Sequence, residues 1–312
     1  MDLLLDRGYT VIGVARSPES TGAFLRYKSR RDLSKYSYRQ MDLNKDVSKL
    51  LALLDAEKPP YIVNFAALCE VALSWEYPEQ WLATNALAVA CLVNHLRRRD
   101  FLERYVQIST PEVYGTCSGR VLEDTVLNPS TPYAVSKATA DLLLETYRRQ
   151  FGFPVLTVRS TNVYGARQRI NKIIPRTIIF MRLGKEIELH GGGKAIKSFI
   201  SIRDVSEGEL GIMENGNIGD IYHLSPDESI SIHDLVRKIC EKMGKDFGAN
   251  TRIISERPGQ DAAYVIDSTK ARRNLGWAPK YSLDQGVDEV IHWVDENWDE
   301  IRRLPLEYVH QF

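Results

Sequence analysis

Apolar and polar positions along the first half of the chain follow two alternating rhythms. Short runs rich in β-branched and aromatic residues recur at Tyr9 to Ala15, Tyr38 to Asp42, Tyr61 to Ala66, Tyr105 to Ser109 and Val155 to Ser160. Between them lie Val47 to Glu57, Pro78 to Arg99 and Pro132 to Phe151, with apolar residues at helical spacing and enough length to cross from one strand to the next. This alternation predicts an α/β fold: a doubly wound, mostly parallel sheet covered by helices on both faces. After about Gly165 the rhythm loosens, because Gly191-Gly192-Gly193, Pro226, Gly259 and Pro279 interrupt shorter elements. That change predicts a smaller C-terminal domain laid over the sheet's carboxyl edge, dividing the chain into units 1–165 and 166–312.

Composition narrows the class without naming a chemistry. Forty-one basic residues balance forty-one acidic ones over 312 residues, so no global field draws the chain to nucleic acid or an anionic membrane. The longest uninterrupted apolar stretch, Ala86 to Val93, is far short of the roughly 20 residues of a membrane span. The start, Met-Asp-Leu-Leu-Leu-Asp-Arg, has an acid where a signal peptide carries cations, so the expected location is cytoplasmic. Cys69, Cys91, Cys117 and Cys240 form no close pair, and the six histidines lack ligand spacing; neither a disulfide framework nor a metal site is expected.

The beginning of the sequence is unusual for such a sheet. No GxGxxG or GxxGxxG occurs, although a dinucleotide-binding fold runs its first strand into that turn. Leu3-Leu4-Leu5-Asp6-Arg7-Gly8-Tyr9 reads instead as the last turn of a helix, a C-cap glycine and then a strand. The sequence therefore reads as starting inside the first crossover, with the central strand of the order 3-2-1-4-5-6 expected between Tyr9–Ala15 and Tyr61–Ala66.

Several residues can carry chemistry. Tyr133 and Lys137 stand four apart on one helix face, behind a Thr131 N-cap and an N1 proline, Pro132. A cation at about 4 Å in a medium of dielectric near 20 supplies about 4 kcal/mol, roughly what lowering a phenol pKa by three units requires. Ser109-Thr110-Pro111-Glu112-Val113-Tyr114-Gly115 follows a predicted strand at the edge where open α/β sheets bind ligands, adding a hydroxyl and a carboxylate. His190-Gly191-Gly192-Gly193 resembles an esterase oxyanion loop, but no GxSxG elbow accompanies it. Beside Lys194 and Lys197 those glycines read as a phosphate-accepting loop or a plain hairpin turn. The run Arg26, Lys28, Arg30 and Arg31 reads as a solvated face.

Taken in order, these residues resemble the extended short-chain dehydrogenase/reductase family and, within it, the nucleotide-sugar 4,6-dehydratases. The resemblance covers nearly the whole chain. It rests on Asp42-Leu43, Asn64-Phe65-Ala66-Ala67, Thr84-Asn85, Ser109-Thr110 with Glu112-Val113-Tyr114-Gly115, and Ser130-Thr131-Pro132-Tyr133 with Lys137. It continues through Asn162-Val163-Tyr164-Gly165, Arg257-Pro258-Gly259 with Asp261, and Leu275-Gly276-Trp277. It implies a Rossmann-type NAD(P)-binding domain over 1–165, N-terminally incomplete, and a nucleotide-sugar-binding domain over most of 166–312, with some segments returning to the sheet.

The resemblance also implies roles. Tyr133 takes the proton of the sugar 4-hydroxyl while a hydride passes to the nicotinamide, Thr110 helps hold that hydroxyl, and Lys137 grips the nicotinamide ribose. Glu112 removes the proton at carbon 5, water leaves carbon 6, and the hydride returns there, giving a 4-keto-6-deoxy sugar nucleotide. Arg16, Asp42, Leu43, Phe65, Ala66 and Ala67, with Tyr133 and Lys137, are implied to hold the cofactor. Ser74, Asn162, Lys172, Lys197 and Arg257 are implied to hold the nucleotide sugar.

NADP is expected, with NAD as the alternative, because the position where NAD enzymes place a ribose-binding acid holds Ala15, followed by Arg16 and Ser17, and an arginine there can pair with a 2′-phosphate. Pro111 stands where dTDP-glucose enzymes carry an aspartate, and Gln260-Asp261-Ala262-Ala263-Tyr264 replaces a more basic segment. UDP-glucuronate decarboxylase and nucleotide-sugar 4-epimerase are the enzymatic alternatives; 4-epimerases usually lack the glutamate. A catalytically silent nucleotide-binding or scaffold protein is the alternative of another class. A homodimer is expected through Pro78 to Arg99 and Pro132 to Phe151, whose first member offers Leu82, Leu87, Val89 and Leu92 to a second copy or to the sheet.

Overall fold

A computed structural model describes residues 1–117, 119–255 and 265–310. Six strands, labelled in chain order, form its parallel layer: β1 (Val11–Ala15), β2 (Tyr36–Gln40), β3 (Tyr61–Asn64), β4 (Arg104–Ile108), β5 (Val155–Ser160) and β6 (Ile221–Leu224). β6, β5, β4 and β3 pair in that spatial order, and every pairing is parallel. β1 and β2 form a separate parallel pair. The α/β class and the parallel sheet read from the sequence are both present.

Alternation along the strands builds the two halves of the core. Tyr105 and Val155 point to one face, where they meet Leu50 and Leu54 of the helix Val47–Glu57 together with Val89, Leu92, Val93 and Leu144. Their neighbours Val106, Leu156 and Val158 point to the other face, against Val205, Ile212 and Leu224. Val106, Leu156 and Val158 are fully buried. Burial of side chains of this kind contributes about 1.5–3 kcal/mol each. A third cluster, with Ile174, Ile178, Leu189, Leu235, Val290 and Trp293, is the core of the smaller C-terminal unit. The first half reaches into it, since Trp293 Nε1 donates to the Ala23 carbonyl at 2.8 Å and Phe24 meets the Trp293 ring edge-on.

The helix over 78–96 carries a wide π-type turn at Ala83–Leu87. Its apolar residues divide between two destinations: Val89 and Leu92 are buried against the sheet, whereas Leu82 and Leu87 stay exposed. Only the second pair remains from the four residues the sequence offered to a partner.

Two local expectations need comment. Asp2–Asp6 is helical, Gly8 has φ 84° and β1 follows, as read from the opening residues. The glycine run is no hairpin, because Ile187–His190 pairs in parallel with Thr251–Ile254 while Ile196–Lys197 pairs with Ile230–Ser231. Gly191, Gly192 and Gly193 all have positive φ, and a Cβ on Gly193 would stand 2.7 Å from the His233 amide nitrogen. Close packing on the helix Ile232–Lys242, rather than strand reversal, is what that glycine serves.

No backbone hydrogen bond joins β1 to β3 among the described residues, although both strands feed the same cluster through Val14 and Ile62. The burial of these two strands is partial, unlike the fully covered β5. The layer is thus open between the two strands that the sequence reading placed on either side of a further strand.

Candidate active site

Two elements meet at the carboxyl ends of the strands. β4 stops at Ile108, and the chain runs through Ser109 and Thr110 into the short 3-10 turn Pro111–Tyr114. Thr110 caps this turn, its Oγ1 accepting from the Glu112 amide at 3.3 Å. Gly115 then leaves with φ 67°, at a point where a Cβ would lie 2.2 Å from the Asn128 carbonyl oxygen. A side chain there would push the turn out of place. Thr110 is buried and Glu112 is partly exposed at the edge.

The second element is the helix Pro132–Phe151. Thr131 Oγ1 accepts from the Ala134 amide at 3.1 Å, Pro132 occupies the first turn, and Gly152 closes the far end in the left-handed region. Tyr133 is packed with Leu68 and Trp81. One turn on, buried Lys137 donates from Nζ to the Ile108 carbonyl at 2.7 Å, tying the helix to the end of β4. Burial pushes this ammonium below its ordinary pKa, and the Asp141 carboxylate opposes the shift.

Asn85 secures the neighbouring loop. From inside the π-type turn it accepts from the Leu68 amide at 2.8 Å and donates to the Leu68 carbonyl at 3.0 Å and to Ser136 Oγ at 2.9 Å. The segment after β3 is thereby fastened to the helix that bears Tyr133.

The residues assigned to a cofactor follow the ends of three strands on this same edge. Arg16 follows β1, Asp42 and Leu43 follow β2, and Phe65, Ala66 and Ala67 follow β3. The Asp42 carboxylate accepts from the Asn44 and Lys45 amides at 2.7 and 3.3 Å, shaping the entry to the next helix. Phe65 is 61% exposed, an uncovered aromatic ring at the mouth of the sheet. Lys137 has three N–H donors and the Ile108 carbonyl takes one, which leaves donors for a ribose. Both features fit a dinucleotide along this edge.

The substrate candidates divide. Asn162 and Lys197 come together, since Asn162–Tyr164 pairs with Phe199–Ser201 and Asn162 Nδ2 donates to the Ser198 carbonyl at 3.1 Å. Lys172, just ahead of the helix Ile173–Arg182, is ion-paired with Glu70 at 2.7 Å. Ser74 is fully buried and donates to the Val71 carbonyl at 2.6 Å, inside its own helix. Arg257 lies outside the described residues.

Sequence reasoning passed over Asp141, Arg159 and His223, and met Asn85 only as part of a motif. The signals were present for two of them. Asp141 continues the Tyr133, Lys137 stripe by one more turn, and Arg159 is the one charge in the strand Val155–Ser160.

Comparison with known proteins follows the same lines. The family model for GDP-mannose 4,6 dehydratase matches residues 1–290. The dTDP-glucose 4,6-dehydratase of Xanthomonas campestris pv. campestris is 30% identical over 274 residues, covering 81% of this chain and 78% of that protein. Among solved structures, the Streptomyces venezuelae dTDP-glucose 4,6-dehydratase DesIV, with NAD bound, superposes with a TM-score of 0.87 at 28% identity, over 96% of this chain and 93% of its own. The UDP-glucuronic acid 4-epimerase of Bacillus cereus, with UDP-glucuronic acid and NAD, gives a TM-score of 0.85 at 27% identity, over 95% and 94%. A match that runs through both halves of the molecule, and through the strand-end segments that carry the site, leaves one conclusion: the chain belongs to the GDP-mannose 4,6-dehydratase family of nucleotide-sugar 4,6-dehydratases.

Proposed function

We propose that this nucleotide-sugar 4,6-dehydratase converts a nucleotide-diphospho-hexose into the 4-keto-6-deoxy sugar nucleotide through Thr110, Glu112, Tyr133 and Lys137. A bound nicotinamide ring supplies the two-electron acceptance at carbon 4 and the return at carbon 6. Tyr133, with Lys137 one turn away, takes the 4-hydroxyl proton, and Thr110 orients that hydroxyl. Glu112 takes the carbon 5 proton. Pro111 has no proton to give, so the neutral Glu112 carboxyl hands its proton to the departing 6-hydroxyl, which leaves as water. The proton collected by Tyr133 balances the one that carbon 5 regains.

The observation that carries this reading is the placement of Glu112. It stands partly exposed in the turn directly after β4, beside the helix that bears Tyr133 and Lys137. A 4-epimerase needs no such base, which favours dehydration over epimerisation as the reading of this site. The test is incubation with dTDP-, GDP-, CDP- and UDP-hexoses and a search for products lighter by one water. In deuterium oxide the wild type should place deuterium at carbon 5 and Glu112→Gln should not; normal labelling in the variant would remove Glu112 from this role.

The cofactor in this proposal is a nicotinamide dinucleotide. Arg16 at the end of β1 favours a 2′-phosphate, while NAD in the solved relatives favours a free 2′-hydroxyl. The nearest acid along the chain, Glu19, is occupied by the Tyr27 and Tyr36 hydroxyls. Asn162, Lys197 and Arg257 serve the diphosphate, with Lys172 available when its pair with Glu70 opens. Units 1–165 and 166–312 divide cofactor and sugar-nucleotide binding between them.

A homodimer and a cytoplasmic location complete the proposal. Leu82 and Leu87 on one helix, with Val135 and Leu142 on the next, are exposed and apolar. An open cavity of about 300 Å³ between these elements is lined by Trp75, Leu82, Pro132 and Val135. A second copy covering this face would bury all four residues. Among the described residues no helix is long and apolar enough to cross a membrane.

A further inference from the structure

A buried ion pair lies directly behind the site. Arg159 of β5 is 2% exposed, and its Nη2 donates to Asp141 Oδ2 at 2.8 Å. The same carboxylate oxygen accepts from Ser109 Oγ at 2.6 Å. At its other end Arg159 donates from Nη1 to the Tyr114 hydroxyl, with the guanidinium 4.7 Å above the Tyr114 ring. The Tyr114 hydroxyl and His223 Nε2 are 2.7 Å apart, and His223 Nδ1 is 3.0 Å from the Asp267 carbonyl. A carbonyl only accepts, so Nδ1 carries the proton and Nε2 accepts from Tyr114. The donors therefore run in one direction, from Arg159 through Tyr114 to a neutral His223.

The ion pair reaches Ser109 through Asp141 and Tyr114 through Arg159, the residues that flank Thr110 and Glu112. We propose that Asp141 and Arg159 are positioning residues that clamp the Ser109–Tyr114 segment at both ends and so fix Thr110 and Glu112 against Tyr133 and Lys137. Stability alone does not account for the pair. Desolvating two charges offsets much of their attraction, and here Asp141 Oδ1 and Arg159 Nε are buried with no hydrogen-bond partner among the described residues. What the pair secures is geometry. Asp141 extends the Tyr133, Lys137 stripe, so one helix face presents the phenol, the ammonium and the anchor of the opposing segment.

The assignment of reacting groups rests on the proposed dehydration, whereas the clamp itself is tested without turnover. Ser109→Ala removes one hydrogen bond and leaves the ion pair whole, so it folds; Asp141→Asn removes the charge. Amide hydrogen exchange on the protein without added substrate should speed up in peptides covering Ser109–Gly115 in both variants. Peptides of the helix Ile173–Arg182 should not change. With substrate, kcat should fall about ten-fold in Ser109→Ala while KM stays within about two-fold. Unchanged exchange over Ser109–Gly115 overturns the clamp. Faster exchange with unchanged kcat makes it merely structural and overturns the positioning role. If the wild type forms no 4-keto product, the proposed function fails and exchange alone decides the clamp.

Discussion

Lys137 Nζ lies 2.7 Å from the carbonyl oxygen of Ile108, joining the helix that bears Tyr133 to the strand that leads to Thr110 and Glu112. The ammonium is buried, and that burial works against its charge. Lys137→Met keeps the length of the side chain and removes a desolvated cation. The variant should melt no lower than the wild type, yet lose about a hundred-fold in turnover, as expected when a group that assists proton transfer is deleted. Calorimetry beside a rate assay checks both halves. Lost stability with retained rate would make Lys137 a structural residue.

The proposed role of Arg16 in the choice of cofactor is open to direct measurement. Arg16→Ala should weaken NADP about ten-fold through loss of one charge-assisted contact, and leave NAD within about two-fold. Titration of both dinucleotides against both proteins is the measurement. An equal loss for the two would take Arg16 off the ribose.

Leu87 and Leu142 are the exposed centres of the apolar face proposed for a second copy. Leu87→Arg should convert a dimer into monomers in light scattering at micromolar concentration and move the melting temperature little in the monomer. A wild type that scatters as a monomer removes the dimer from the proposal.

His223 predicts a pH dependence of stability. Burial, reinforced by the Arg159 guanidinium, pushes its pKa down to about 3, while the unfolded chain titrates near the ordinary 6.5. Below pH 6.5 the unfolded state gains a proton that the folded state refuses, so stability present above 6.5 is lost as pH falls towards 3. Between pH 7 and pH 5 the loss is about 2 kcal/mol. Glu123 and Glu209, both raised by burial, act in the opposite sense as pH rises, so the comparison is between wild type and His223→Gln. The variant should lose less stability than the wild type on that descent. Parallel losses in the two proteins would show that His223 does not carry the effect.

Much of the frame was legible because local chemistry and burial agree. The strand Val155–Ser160 and the helices Val47–Glu57 and Pro132–Phe151 lie where they were read, the last bounded by a capping threonine, an N1 proline and a C-terminal glycine. The proposed quartet Thr110, Glu112, Tyr133 and Lys137 was read from residue types at a strand end and on one helical stripe. The clamp was not, because its partners, Asp141, Arg159 and His223, are separated by 18 to 82 positions and meet only after the sheet has formed. A lone arginine in a strand also reads as an edge residue until both faces are known to be covered. The hairpin reading of the glycine run failed for a related reason: positive φ serves close packing against His233 as readily as it serves a hairpin.

The opening between β1 and β3 has a consequence for how the protein behaves while folding. Val-Ile-Gly-Val-Ala and Tyr-Ile-Val-Asn carry no charge, so neither bears the lysine, proline or bulge that usually blunts an exposed edge. Each offers a row of main-chain donors and acceptors to any extended segment. A strand entering the opening is captured on two sides at once, and the slot does not distinguish a segment of its own chain from one supplied by a neighbour. Refolding yield should therefore fall steeply with protein concentration, as extended segments of several molecules pair with these two edges.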